Sequence, residues 1–171
     1  SIASSSSTRK NREVTDLSAM HFLTEILSPE RTVCHAPGVS KKRLFETIAR
    51  MISEDQPSLT YEEVFDHLIA REKLGSTGLG QGIAIPHCRV DACPHPLGSL
   101  LTLEQAIDFD APDDQPVDIL FALLVPGEAD QQHLDILANI ARLFSQADFC
   151  EQLRGATDSK ELYDLAINRE P

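Results

Sequence analysis

Hydrophobic positions recur along this chain in two periods, and the changes of period mark its elements. From Ser40 the spacing is helical, with Leu44, Phe45, Ile48, Met51 and Ile52 on one face. Ser40 is suited to the N-cap, and Val39 can staple against Leu44. A second helix is predicted from Thr60, where T-Y-E-E offers a capping box through Glu63 and Leu59 can staple against Val64. Val64, Phe65, Leu68 and Ile69 form its stripe, and Gly75 ends it as a C′ glycine. The pattern then turns extended. Ile83–Ile85 is held out of the helical region by Pro86, and Ser99–Leu103 reads as a strand. Val117–Val125 is nearly continuous Val, Ile, Leu and Phe, the pattern of a central strand covered on both faces. Helical spacing returns over Asp130–Ser145, with Leu134, Leu137, Ala141 and Phe144 on the inner face. A last helix is signalled by Asp158 and Glu161 ahead of Leu162, Leu165 and Ala166. Before Ser40, Leu17–Leu27 reads as a short helix and Arg31–Ala36 as a strand or extended connection. The alternation predicts one α/β (α+β) domain over residues 17–171, a mixed sheet with helices on both faces. Residues 1–16 are polar, serine-rich and aperiodic, and read as a flexible tail or expression remnant.

Composition narrows the class of function. The 171 residues carry a formal net charge of −12, which repels phosphate backbones and argues against direct nucleic-acid binding. Ile119–Val125 is the longest apolar run, far short of the ~20 residues that cross a bilayer. No secretory signal opens the sequence, so a cytoplasmic location is expected. The four cysteines, Cys34, Cys88, Cys93 and Cys150, then read as free thiols. The basic run Lys41-Lys42-Arg43 opposes the dipole of the helix it opens, and reads as a solvated face in preference to a partner-binding patch.

Candidate chemistry concentrates in Arg71–His87, R-E-K-L-G-S-T-G-L-G-Q-G-I-A-I-P-H. Gly75, Gly78, Gly80 and Gly82 permit positive φ and close approach to an anion, so Gly78 and Gly80 are candidate phosphate contacts. His87, behind the rigid Ile85-Pro86 step, is a candidate nucleophile toward a phosphoryl group. Arg71 offers a planar fork to phosphoryl oxygens, and Ser76 and Thr77 offer hydroxyls. His133 follows the Val117–Val125 strand. With Asp130 as N-cap it occupies the third helical position, where open N–H groups and the dipole favour an anion. Each has a plainer reading: a structural histidine, a surface histidine on a helix, an arginine complementing a helix C-terminus, glycines that only turn the chain. His87, Cys88, Cys93 and His95 have atoms suited to zinc, but adjacent ligands on an extended segment point to opposite sides. The spacing also departs from structural zinc sites, so no metal is expected.

Two ordered blocks, Arg71–His87 and P-V-D-I-L-F-A-L-L-V-P at Pro116–Pro126 followed by His133, resemble the type-2 enzyme IIA domains of the bacterial phosphoenolpyruvate-dependent phosphotransferase system. The resemblance runs from Leu17 to about Ile167. It implies that His87 accepts a phosphoryl group from a phosphohistidine on a small HPr-like carrier, with His133 as second active-site histidine and no cofactor. The chain looks most like the nitrogen-related branch, whose members regulate target proteins, and its single-domain length fits that branch. A sugar-specific fructose- or mannitol-type subunit is the alternative; a non-catalytic anion- or metal-binding module is the third reading. Two positions depart from the family pattern. Gln81 stands where asparagine is frequent, and Cys88 where glycine is common. Cys88 makes oxidation sensitivity conceivable, though a tolerated small residue is the simpler reading.

Overall fold

In the computed structural model, residues 22–38, 40–128 and 130–168 are described, the side chains of 130 and 132 excepted. The tail reading of 1–16, the start of the Leu17–Leu27 helix and the Val39 staple lie outside these residues. Helix α1 is seen over 22–26, followed by a 3₁₀ turn at Pro29–Arg31 and strand β1 at Thr32–Ala36. Helices α2 (Lys41–Asp55) and α3 (Tyr61–Leu74) begin where their caps predict. Ser40 Oγ accepts from Arg43 N at 3.2 Å, and Thr60 Oγ1 accepts from Glu63 N at 3.1 Å. Strands β2 (Gly78–Gly80), β3 (Ile83–Ala84), β4 (His87–Arg89), β5 (Leu97–Ile107) and β6 (Val117–Val125) follow. The described chain closes with α4 (Asp130–Phe144), α5 (Ala147–Arg154) and α6 (Ser159–Ile167), the last capped by Asp158.

The strands form one mixed sheet in the order β1-β5-β6-β3-β2, with β4 continuing the line of β3 along β6. β1 lies parallel to β5, β5 antiparallel to β6, and both β3 and β4 parallel to β6. β6 is central, as its unbroken apolar run requires, and its side chains divide between two cores. Leu120, Ala122 and Leu124 meet Leu44, Phe45 and Ile48 of α2 and Val64 and Leu68 of α3. Ile119, Phe121, Leu123 and Val125 meet Leu23 and Ile26 of α1, Ile136 and Ile140 of α4, Leu153 of α5 and Leu162 of α6. The expected mixed sheet with helices on both faces is the observed architecture.

Several local readings need correction. Gly75 caps α3 with φ 162°, extended backbone and not the left-handed C′ form. β5 reaches well beyond Ser99–Leu103, because its polar stretch Glu104–Ala106 is taken up in an irregularity between Thr102 and Ile107. Helix α5 went unread although Phe149, Cys150 and Leu153 carry helical spacing; eight residues are a short signal. In α4 the buried stripe is His133, Ile136, Ile140 and Phe144, so Leu134 faces outward where an inner position was expected. Asp130 is the first helical residue of α4, not its N-cap, which makes His133 the fourth residue.

Candidate active site

Pro86 ends β3 and redirects the chain into β4, while its carbonyl still accepts from Leu123 N at 2.8 Å, so β4 keeps register with β6. His87 lies opposite Leu123, a residue of the α4-side core, and paired strand residues share a face. His87 therefore faces α4, and Cys88 faces the α2–α3 core. β3, β4 and β6 run in the same direction. Their carboxyl ends meet the N-terminus of α4, the position where parallel strands in α/β sheets gather ligands.

There His133 comes down from the first turn of α4. It is 6% exposed, and its ring centroid stands 5.9 Å from that of His87 with 62° between the planes. His87 itself is half-buried, and its Nδ1 lies 2.8 Å from the carbonyl oxygen of Ile85. A carbonyl only accepts, so Nδ1 carries the proton in the neutral ring and the Nε2 lone pair remains available. Burial depresses the His87 pKa below its ordinary 6.5, and the positive field of Arg71 lowers it further. The Ile85 bond and the negative field of Glu72 oppose this without reversing it. At neutral pH the ring is largely uncharged, and its Nε2 lone pair has the chemistry a nucleophile needs. Arg71, whose charge is felt at His87, sits in the last turn of α3, where its Nη1 donates to Gly75 O at 2.9 Å.

The remaining expected phosphate contacts have other work. Ser76 Oγ donates to Phe109 O at 2.6 Å and accepts from Gly78 N at 3.1 Å. Thr77 donates to Glu72 twice, from Oγ1 at 2.7 Å and from N at 3.2 Å. Gly78 is a packing glycine, since a Cβ there would stand 2.9 Å from Ala111 Cβ. The register sets Gly80, expected in a phosphate cradle, apart from His87. Gly80 pairs with Ile83 and Ile83 with Ile119, four residues before Leu123, which is about 13 Å along the strand. The positive φ values at Gly80, Gln81 and Gly82 (94°, 58° and 85°) form the far turn of the β2–β3 hairpin.

The ligand set weighed for zinc is split, with His87 and Cys88 on opposite faces and Cys93 Sγ donating to His95 O at 3.0 Å. Among the described residues no group of three or more His, Cys, Asp or Glu side chains is placed to hold a metal. Burial pushes the Cys88 thiol up to about 12, so it stays protonated and inert beside the site. Among the described residues no helix is long and apolar enough to cross a membrane. Sequence reasoning missed Glu72 and Lys41, which meet at 2.8 Å behind the site, and the outward Leu134 beside His133. The signal for the pair was faint: each charge sits at the unfavourable pole of its own helix.

Comparison with known proteins gives the family. Residues 25–168 match the family model described as "Phosphoenolpyruvate-dependent sugar phosphotransferase system, EIIA 2". A nitrogen regulatory protein of Pseudomonas aeruginosa is 45% identical over 146 residues, covering 85% of this chain and 95% of the relative. A fructose-specific EIIA component of Haloferax volcanii is 32% identical over 153 residues, 90% of this chain and 96% of that protein. The crystal structure of nitrogen regulatory protein IIA-Ntr from Neisseria meningitidis superposes with a TM-score of 0.77 at 41% identity, covering 82% of this chain and 96% of that one. Matched over most of its length by the family model and by these relatives, the chain belongs to the type-2 EIIA family of the phosphotransferase system.

Proposed function

We propose that the chain is a phosphohistidine carrier of the nitrogen-related, regulatory kind, taking its phosphoryl group on His87 Nε2 from an HPr-like carrier protein. The observation that carries this reading is the paired histidines at 5.9 Å with the His87 Nδ1 proton turned to Ile85 O. In the transfer, the Nε2–phosphorus bond forms as the donor's nitrogen–phosphorus bond breaks, and the Nδ1 proton stays on the ring. The attacking ring gains positive charge, which the Ile85 carbonyl stabilises by accepting the Nδ1–H hydrogen bond. Arg71 and His133 offset the negative charge on the phosphoryl oxygens.

Two exposed leucines support docking of a protein donor at this site. Leu74, 84% exposed, ends α3 three residues after Arg71, and Leu134, 59% exposed, follows His133. Large apolar groups left in water beside a reactive residue fit a partner surface better than a small substrate. The regulatory branch is favoured over sugar transport by likeness: 45% identity to a nitrogen regulatory protein against 32% to a fructose-specific component. A doubly charged phosphoryl group on an already acidic protein can weaken one partner interface and spare another. A cytoplasmic location, shared with the carrier that supplies the phosphoryl group, is part of this reading.

Incubation with phosphoenolpyruvate, enzyme I and an HPr-type carrier, followed by intact-mass measurement at alkaline pH, tests the carrier reading. One added phosphate is expected, and none would refute it. Transfer from the phosphorylated chain to sugar-specific IIB domains is expected to be absent, and rapid transfer to one of them would favour the transport role.

A further inference from the structure

Arg71 and Glu72 are neighbours in sequence, yet they do not pair with one another. Neighbouring helical residues point about 100° apart, and here the charge of Arg71 is felt at His87 while the Glu72 side chain turns inward. The Glu72 side chain is only 6% exposed. Its Oε1 accepts from Lys41 Nζ at 2.8 Å and from Thr77 N at 3.2 Å, and its Oε2 accepts from Thr77 Oγ1 at 2.7 Å. Lys41 is anchored in turn by Phe109 O at 3.2 Å and stands 4.6 Å over the Phe109 ring. Glu72 thus ties together the end of α3, the start of α2 and the turn leading into β2.

On helix electrostatics alone this is an adverse arrangement. A carboxylate in the last turn of α3 opposes that helix's dipole, as Lys41 does in the first turn of α2. Burying the carboxylate adds a desolvation cost that only full pairing offsets. Local rules are broken in this way chiefly where a site requires it.

Building on the carrier reading above, we propose that Glu72 is the positioning residue of the phosphoryl site: gripped by Lys41 and Thr77, it fixes the α3–β2 turn so that Arg71 is presented to His87 unneutralised. Because Glu72 is fully engaged elsewhere, Arg71 keeps its charge for the phosphoryl oxygens. The carboxylate's field also reaches the His87 ring, where it stabilises the positive charge that develops as Nε2 attacks. The charged and titratable groups acting here are Arg71, Glu72 and Lys41 from the helices of one face and His133 from α4 on the other.

The test uses the full chain and a phosphorylated HPr-type carrier as donor. Glu72→Gln keeps the size of the side chain and removes its charge. The maximal rate of phosphoryl uptake is expected to fall roughly 10- to 100-fold, as small misplacements of a reacting group do, with the donor KM changed less than about threefold. Imidazole NMR is expected to show the His87 pKa falling below its wild-type value. Both changes together support the proposal; a rate within twofold, a loss confined to KM, or an unmoved pKa overturns it. If Glu72→Gln does not fold, Thr77→Val removes one of the carboxylate's three partners. A several-fold lower maximal rate then supports the proposal and a wild-type rate overturns it. Failure of the carrier reading is recognised separately, because the wild-type chain itself would take no phosphate while its His87 pKa could still be compared.

Discussion

The β2–β3 hairpin and its continuation into β4 carry an arginine at each end, and the two are used in opposite ways. At the far turn Arg154 uses four of its five N–H donors: Nε and Nη2 grip Asp118 at 2.9 and 3.1 Å, Nη2 also donates to Gln81 O at 2.9 Å, and Nη1 to Glu151 at 2.9 Å. Asp113 closes the same turn by accepting from Gln81 N at 2.8 Å. This end is a clasp over three consecutive left-handed residues, and its charges are spent on the fold. At the His87 end the nearby carboxylate is claimed by Lys41 and Thr77, while Arg71 makes one hydrogen bond among the described residues. An arginine serves an incoming anion only if the protein's own carboxylates are kept from it. That difference separates an end of the hairpin spent on the fold from the end at which the proposed transfer would take place.

The contrast is broken most completely by His87→Ala, which should abolish phosphoryl uptake by intact mass while circular dichroism shows the wild-type fold. Next in size, Arg71→Ala or His133→Ala should slow uptake by about 10²–10³, by analogy with the loss of one preorganised donor to a developing negative charge. Arg71→Gln should also raise the His87 pKa in an NMR titration, since the positive field of Arg71 helps to depress it. At the far end Gly82→Ala would set a Cβ 2.7 Å from Arg154 Nη2 and 2.9 Å from Asp118 Oδ1 at a φ of 85°. Denaturant unfolding should show a loss of about 1–3 kcal/mol, with phosphoryl uptake by the folded fraction unchanged. A smaller change, Leu134→Ser, should raise the donor KM roughly tenfold through lost apolar contact, leaving the maximal rate and the melting temperature near wild type.

The smallest effect expected is that of pH, and its sign follows from the neutral ring. The folded pKa of His87 lies below 6.5, so uptake should hold nearly constant between pH 8 and 7 and decline only further toward acid, as protonation removes the nucleophile. The same shift makes this group's contribution to stability complete above pH 6.5 and lost as pH falls through the folded value. A rate that already falls between pH 8 and 7 would show the ring less depressed than its surroundings require.

Much of this was legible in the sequence. The unbroken apolar run of Val117–Val125 identified the central strand, and Ser40, Thr60 and Asp158 marked true helix starts, because capping and two-sided burial are local or compositional signals. His87 and His133, which the structure brings together, and Arg71 were also visible as candidates, through the glycine-rich block and the helix that follows the central strand. What escaped was set by register. The glycines read as one loop with His87, but pairing with β6 carries Gly80–Gly82 some 13 Å from it. Leu134 fits the helical stripe of Leu137, Ala141 and Phe144, yet burial of His133 and Ile136 turns it outward. The Lys41–Glu72 pair joins residues distant in sequence, and no local pattern announces it.

The central claim is that His87, with Nδ1 held by Ile85, reacts through Nε2. Its most direct test is ¹⁵N–³¹P NMR of the chain after phosphorylation by the HPr-type carrier. The account predicts a single phosphorus bonded to Nε2 of His87 and a proton retained at Nδ1. A phosphoryl group on Nδ1, on His133 or on any other residue would contradict it.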